Sequence, residues 1–312
     1  MNDTCGPSGV PVWSPAVTHV LYSYTGALLV LGLLLNGLAL WVFCCRMQRW
    51  TETRVYMTNL AVADLCLVCS LPFMLYTLQH PAGVDTLFCQ LSQAVYLTNR
   101  YLSISLVMAI AVDRYVAVKH PLCARRLRSP QQAAAVCAVL WVLVTVFLGL
   151  RWFLGVQEGG FCFTSRSRNF STVVFPLLGF YLPLAVLVFC SLQVVTALAR
   201  RPASGPAQAK ATLKATRMVW ANLVVFVVCF LPLHVVLTVQ VPVGLHVHPG
   251  CGIPAALRSA LLVTSKLSDA NCCLDAVCYY YMAKEFQEAY AVAADPGAKA
   301  HRGQDSLCVS LV

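Results

Sequence analysis

Seven apolar runs, each close to the roughly 20 residues that a helix needs to cross a hydrocarbon layer, leave this 312-residue chain few folds. They cover about 20–45, 53–76, 87–118, 132–154, 172–198, 213–240 and 254–282. Inside a bilayer every backbone N–H and C=O must find its partner within the protein, so runs of this length are helices. A large soluble helical core is the competing explanation. Charged residues make up 11% of the chain and hydrophobic ones 59%, whereas a soluble domain carries about 25% charged residues. The expected fold is therefore an all-α membrane protein, a seven-transmembrane-helix bundle. It comprises an outer segment at 1–19, the bundle at 20–282, a short amphipathic eighth helix at 283–294 and a polar tail at 295–312. The amphipathic helix is drawn from "YMAKEFQEAYAVAA", where Phe286 and Tyr290 stand four apart. No internal repeat is found, and Arg200 to Lys210 is expected to be a mobile loop.

Basic residues set the orientation. Before the first run there is Asp3 and no lysine or arginine; after it come Arg46, Arg49 and Arg54. Lys119, Arg125, Arg126 and Arg128 follow the third run, and Arg200, Arg201, Lys210, Lys214 and Arg217 join the fifth to the sixth. Such residues gather on the cytoplasmic side, so the N-terminus is expected outside and the chain in the plasma membrane. Both Asn-X-Ser/Thr sequons, at Asn2 and Asn169, then fall outside, where glycosylation occurs. Of sixteen cysteines, Cys5, Cys89, Cys162 and Cys251 lie in or beside outer segments, where disulfides persist. The other twelve are expected to be free. No cleavable signal precedes the first run, which is expected to insert itself. The net charge of +10 thus reflects membrane sidedness. With no basic stripe on a soluble domain, nucleic acid is not an expected partner.

The third run contains an arginine, Arg100, far from either end. Cys89, Gln93, Tyr96, Arg100, Ser103, Val107, Ile110 and Arg114 alternate spacings of four and three, and so share one helix face. Its outer half is polar. Polar residues inside a membrane face the bundle interior, so this face is expected to line a wet cavity open to the outside and closed below by Val107 and Ile110. At 1.5 Å per residue, Arg100 lies about 16 Å below Cys89 and about 21 Å above Arg114.

With these residues in place, the chain resembles a rhodopsin-like (class A) G-protein-coupled receptor over nearly its whole length. Asn36, Asp64, the Asp113-Arg114-Tyr115 triplet, Trp141, Pro183 and Pro232 match the family's landmarks on successive helices. "WVFCCRMQRWTETRVYMTNLAVADL" and "SKLSDANCCLDAVCYYYMAKEFQEA" carry a closer likeness to a member responsive to kynurenic acid and other small organic acids. The resemblance implies a Cys89–Cys162 disulfide and leaves Cys5–Cys251 as the remaining outer pair. It implies G-protein coupling through Asp113, Arg114 and Tyr115, with Arg114 turning toward a G protein when the sixth helix swings out. A heterotrimeric G protein of the inhibitory and twelve/thirteen classes is the expected partner, with arrestin at Ser306 and Ser310 after phosphorylation. Asp64, Ser103, Asn271 and Asp275 match positions that hold a sodium ion in many members. They are hard oxygen donors, and a water-filled hydrogen-bond network is the alternative. No cofactor is otherwise expected. Phe230 stands where the family has a tryptophan, and Asp275-Ala276-Val277-Cys278-Tyr279 replaces Asn-Pro-X-X-Tyr. Loss of that proline removes an expected kink.

Ligand chemistry follows from the cations. Tyr96, Arg100, Arg151, Phe163, Arg166 and Arg168 are the expected ligand-binding residues: arginines grip carboxylates bidentately, and the aromatic rings suit a planar acid. A lysophospholipid phosphate is the second expectation. A structural ion pair of Arg100 with Asp64 remains open, as does a snorkelling pair at Asp113 and Arg114. Lys266 and Asp269, three apart, can pair with each other. A retinal Schiff base at this helix is weighed against that: Asp269 holds the visual pigments' lysine position, one turn beyond Lys266. His246 and His248 lack further ligands for a metal. A seven-helix transporter or channel predicts paired repeats or an ionisable path, which Val107 and Ile110 interrupt. No enzyme motif is present. The ending Ser310-Leu311-Val312 fits a PDZ groove.

Overall fold

The computed structural model describes residues 14–47, 50–79, 87–153, 177–200, 205–246 and 255–278. All regular structure among them is helical. The helices are α1 (Pro15–Trp41), α2 (Glu52–Gln79), α3 (Leu87–Lys119), α4 (Pro121–Leu127), α5 (Pro130–Phe153), α6 (Leu182–Ala199), α7 (Pro206–His246), α8 (Ala255–Asp269) and, after a turn at Ala270, α9 (271–278). Helices α1, α2, α3, α5, α6 and α7 are the first six expected spans, and among the described residues six helices are long and apolar enough to cross a membrane. The seventh span is divided between α8 and α9. The expected eighth helix at 283–294 lies outside the described residues.

The boundaries shift for identifiable reasons. Ser14 caps α1 by accepting from the Val17 amide, and Pro15 supplies a fixed first-turn φ, so the helix starts before the apolar run. Pro206 opens α7 in the same way, so half of the stretch expected as a mobile loop is helix. The short α4 follows the third span unannounced by hydropathy; Pro121 starts it. Wide π-turns occur at Val42–Arg46 and Leu177–Tyr181.

Burial departs from that of a water-soluble protein at both ends of the polarity scale. Asn36, Asp64, Ser103 and His234 are fully buried, while Val139, Val142, Leu143 and Val146 on α5 are more than half exposed. Polar groups turn inward and apolar ones outward, as in a lipid-facing bundle. Helix α3 is central, packing on α2, α5, α6 and α7. Its Leu102, Ile104 and Leu106 are wholly buried. Small residues permit close approach: a Cβ on Gly179 would meet Tyr101 at 2.7 Å, and one on Gly32 would meet Val68 at 2.5 Å.

Candidate functional site

Arg100 is 6% exposed, midway along α3. Its guanidinium lies 4.6 Å from the centre of the Tyr96 ring and donates to the Tyr96 hydroxyl. Tyr96 is one turn earlier on the same face, the position from which its ring reaches the arginine. The same hydroxyl donates to Asp269 Oδ1 at 2.7 Å, and Lys266 Nζ donates to Asp269 Oδ2 at 3.1 Å. A relay Arg100–Tyr96–Asp269–Lys266 therefore ties α3 to α8. The Lys266–Asp269 pair was legible from its spacing; the reach of Tyr96 across to Asp269 was not. Two positive charges and one negative meet in this buried cluster. Asp64, the other carboxylate weighed for Arg100, accepts from Asn99 Nδ2 at 3.2 Å.

The relay ends where the seventh span breaks. The Ala270 amide bonds the Leu267 carbonyl at 3.2 Å, one residue tighter than an α-helix requires. The Lys266 carbonyl instead accepts from the Tyr24 hydroxyl at 2.6 Å, and the Cys272 carbonyl accepts from Asn36 Nδ2 at 2.9 Å. Both donors come from α1. The helix runs unbroken through Ala276, where the proline is missing, but the ladder is interrupted five residues before Asp275, and α1 side chains satisfy carbonyls on either side. No proline or glycine announces this.

Below Arg100 the polar face closes. Val107 and Ile110 are buried and line a cavity with Phe226, Asn222, Asn271 and Asp275 that has room for about one water. Of the four oxygen donors expected around sodium, Asn271 Nδ2 donates to Asp275 Oδ2 at 2.6 Å. Ser103 Oγ is buried without a hydrogen-bond partner among the described residues. Phe230 sits in an aromatic column that sequence reading missed. Phe226 is 5.2 Å from it, Phe180 stacks on Phe226 at 5.9 Å, and His234 stacks on Phe180 at 3.9 Å. His234 Nδ1 donates to the Phe230 carbonyl at 2.8 Å, which fixes the ring one turn above.

At the other end of α3, Asp113 is gripped bidentately. Arg128 Nε donates to Oδ1 and Nη2 to Oδ2, both at 2.8 Å. Glu52 adds a second carboxylate 3.8 Å from Arg128. Burial opposes the arginine's charge, but the Asp113 bonds and the field of Glu52 prevail and hold its pKa above the ordinary arginine value. Arg114 donates to Thr53 Oγ1 on α2 at 2.5 Å. Tyr115 packs edge-on against His120 at 5.5 Å and on Phe189 of α6 at 5.8 Å. Of the snorkelling pair left open by the sequence, Asp113 serves the loop arginine and Arg114 bonds α2.

The sequence pattern described as 7 transmembrane receptor (rhodopsin family) matches residues 35–279. The chain belongs to that family. It is 70% identical to the human G-protein coupled receptor 35 over 309 residues, which is 99% of this chain and 98% of the human one. Against the mouse G-protein coupled receptor 35 it is 64% identical over 312 residues, all of both chains. The human lysophosphatidic acid receptor 4 is 33% identical over 289 residues, 87% of this chain and 77% of that receptor. This protein is therefore a multi-pass membrane receptor of the G-protein-coupled class, not an enzyme.

Other expected site residues of the receptor fall outside the described residues: Phe163, Arg166, Arg168, Cys5, Cys162, Cys251, Asn2, Asn169, His248, Ser306 and Ser310. Cys89, Arg151 and His246 lie on helices whose backbone alone is described there.

Proposed function

We propose that the receptor binds a small anionic ligand, an aromatic carboxylate, through Arg100, and signals through heterotrimeric G proteins of the inhibitory and twelve/thirteen classes. The observation that carries this reading is the buried Arg100–Tyr96–Asp269–Lys266 relay. Two cations there share a carboxylate that the protein itself supplies. An incoming acid competes with Asp269 for the arginine side of the cluster. Tyr96 offers its ring to a planar ligand. Arg151, Phe163, Arg166 and Arg168 supply the outer charge and aromatic surface. Release of Asp269 frees α8 from α3 at the break in the seventh span, and Arg114, bonded to Thr53 at rest, turns to the G protein.

In this reading the N-terminus is outside and the receptor resides in the plasma membrane. Cys89–Cys162 and Cys5–Cys251 brace the outer loops, and Asn2 and Asn169 are glycosylated. Asp64, Ser103, Asn271 and Asp275 fit a sodium ion by their oxygen chemistry, and Ser103 Oγ, buried without a bond, is the group that would gain most from one. Phosphorylated Ser306 and Ser310 recruit arrestin, and Ser310–Val312 serves a PDZ domain. A phosphate-bearing lysophospholipid is the second reading, favoured by the likeness to a lysophosphatidic acid receptor.

The test is agonist potency of kynurenic acid and other planar acids at Arg100→Ala and Arg151→Ala, at matched surface expression. Loss of a buried charge-assisted contact costs about 2–5 kcal/mol, so potency at Arg100→Ala is expected to fall by roughly thirtyfold or more. Unchanged potency across several acids leaves Arg100 structural and overturns the pocket.

A further inference from the structure

We propose that Cys44 and Cys45 are S-acylation sites, each taking a long-chain fatty acyl group in thioester linkage. The two thiols close the first span at Val42–Arg46. The π-turn there turns Phe43 into the bundle, where it is buried, and leaves both neighbouring cysteines exposed and free. Their depth is marked by two tryptophans. Trp41 and Trp50 are each half exposed; Arg46 lies 5.2 Å over the first ring and Arg54 lies 4.0 Å over the second. Paired aromatic and basic groups of this kind belong at the headgroup level. Adjacent thiols at that level meet both a membrane-embedded acyltransferase and the acyl chains beside which the product must lie.

Exposure alone does not select these residues. Cys66, Cys69 and Cys123 are also exposed and free; Cys123 stands alone on α4, without an adjacent thiol, and Cys66 and Cys69 stand 14 and 17 residues into α2 from Glu52. That places the α2 pair about 21–26 Å from the helix's cytoplasmic end, within the hydrocarbon layer and beyond an enzyme working at the surface. The thiolate is the nucleophile. In the reaction the thiolate attacks the carbonyl carbon of an acyl-coenzyme A. The carbon–sulfur bond to coenzyme A breaks, its thiolate leaves and takes up the proton that the cysteine lost, and no oxidant is needed. Juxtamembrane cysteines are the usual acceptors of this reversible modification. The inference rests on the cytoplasmic assignment of the basic loops.

The test uses the full-length receptor in cells. Peptide mapping by mass spectrometry is expected to find acyl mass on the peptide bearing Cys44 and Cys45. Hydroxylamine-dependent thiol exchange, normalised to total receptor, is expected to lose at least half its signal in the Cys44→Ser/Cys45→Ser variant and to keep it in Cys66→Ser/Cys69→Ser. An unmodified Cys44–Cys45 peptide in the wild type, or full exchange signal in the double variant, overturns the proposal. An epitope at the N-terminus separates the two ideas. If antibody detects it only after permeabilisation, the orientation is wrong and the proposal falls with it. If it is detected on intact cells while Cys44 and Cys45 carry no acyl group, the proposal alone falls.

Discussion

Arg100 and Arg114 stand on one helix, about 21 Å apart, and their surroundings differ in kind. The outer arginine is enclosed and engages a tyrosine that a carboxylate on the seventh span already holds. The inner one is half-buried and bonds a threonine, while the carboxylate next to it in sequence is occupied by a loop arginine. A buried charge exchanges partners only when a replacement of the same sign arrives. A half-buried charge near water can leave its partner at small cost. Under the proposed function, the outer site waits for a ligand and the inner one moves once the helices around it do.

The largest effect expected on this contrast is at the inner arginine. Arg114→Ala should reduce agonist-stimulated G-protein activation to background at equal surface level, while binding of a labelled acid persists. Wild-type-like activation would erase the distinction between the two sites. An intermediate effect is expected at Arg128→Ala. Asp113 loses its bidentate partner, and basal signalling in the absence of agonist should rise roughly severalfold, since breaking a buried pair costs about 3–5 kcal/mol. Basal signalling at or below wild type would place the resting constraint elsewhere. The smallest effect belongs to Tyr24→Phe, which removes one donor from the Lys266 carbonyl. A lost hydrogen bond of this kind is worth about 1 kcal/mol, so detergent-solubilised receptor should melt about 2 °C lower. A larger shift in acid potency than in melting would show that the α1 contact acts on the outer site.

The fold was legible because apolar runs of membrane length admit little besides helices. The stripe on α3 was legible for the same reason: helical spacing alone puts Tyr96, Arg100 and Ser103 on one face. Lys266 and Asp269 were readable as a local pair. What escaped were partners fixed by tertiary packing. Nothing in the spacing of Asp113 and Arg128 announces a bidentate pair, because the intervening α4 decides where the loop arginine lands. Nor does the column of Phe180, Phe226 and His234 appear in any motif, since it forms between α7 and the π-turn at Leu177–Tyr181. The break at Ala270 was invisible for another reason. It is made by donors on α1, not by the residue that breaks.

That break changes what kind of joint the seventh span is. A proline fixes a bend covalently and for the lifetime of the chain. Here the bend is pinned by two removable side-chain bonds, from Tyr24 and Asn36, so the joint can lock straight or fold according to where the first helix stands. Motion of the seventh span is then coupled to α1, a helix most of whose surface the bundle leaves uncovered. A shift of α1 would release both bonds at once, a freedom that a proline-made bend lacks.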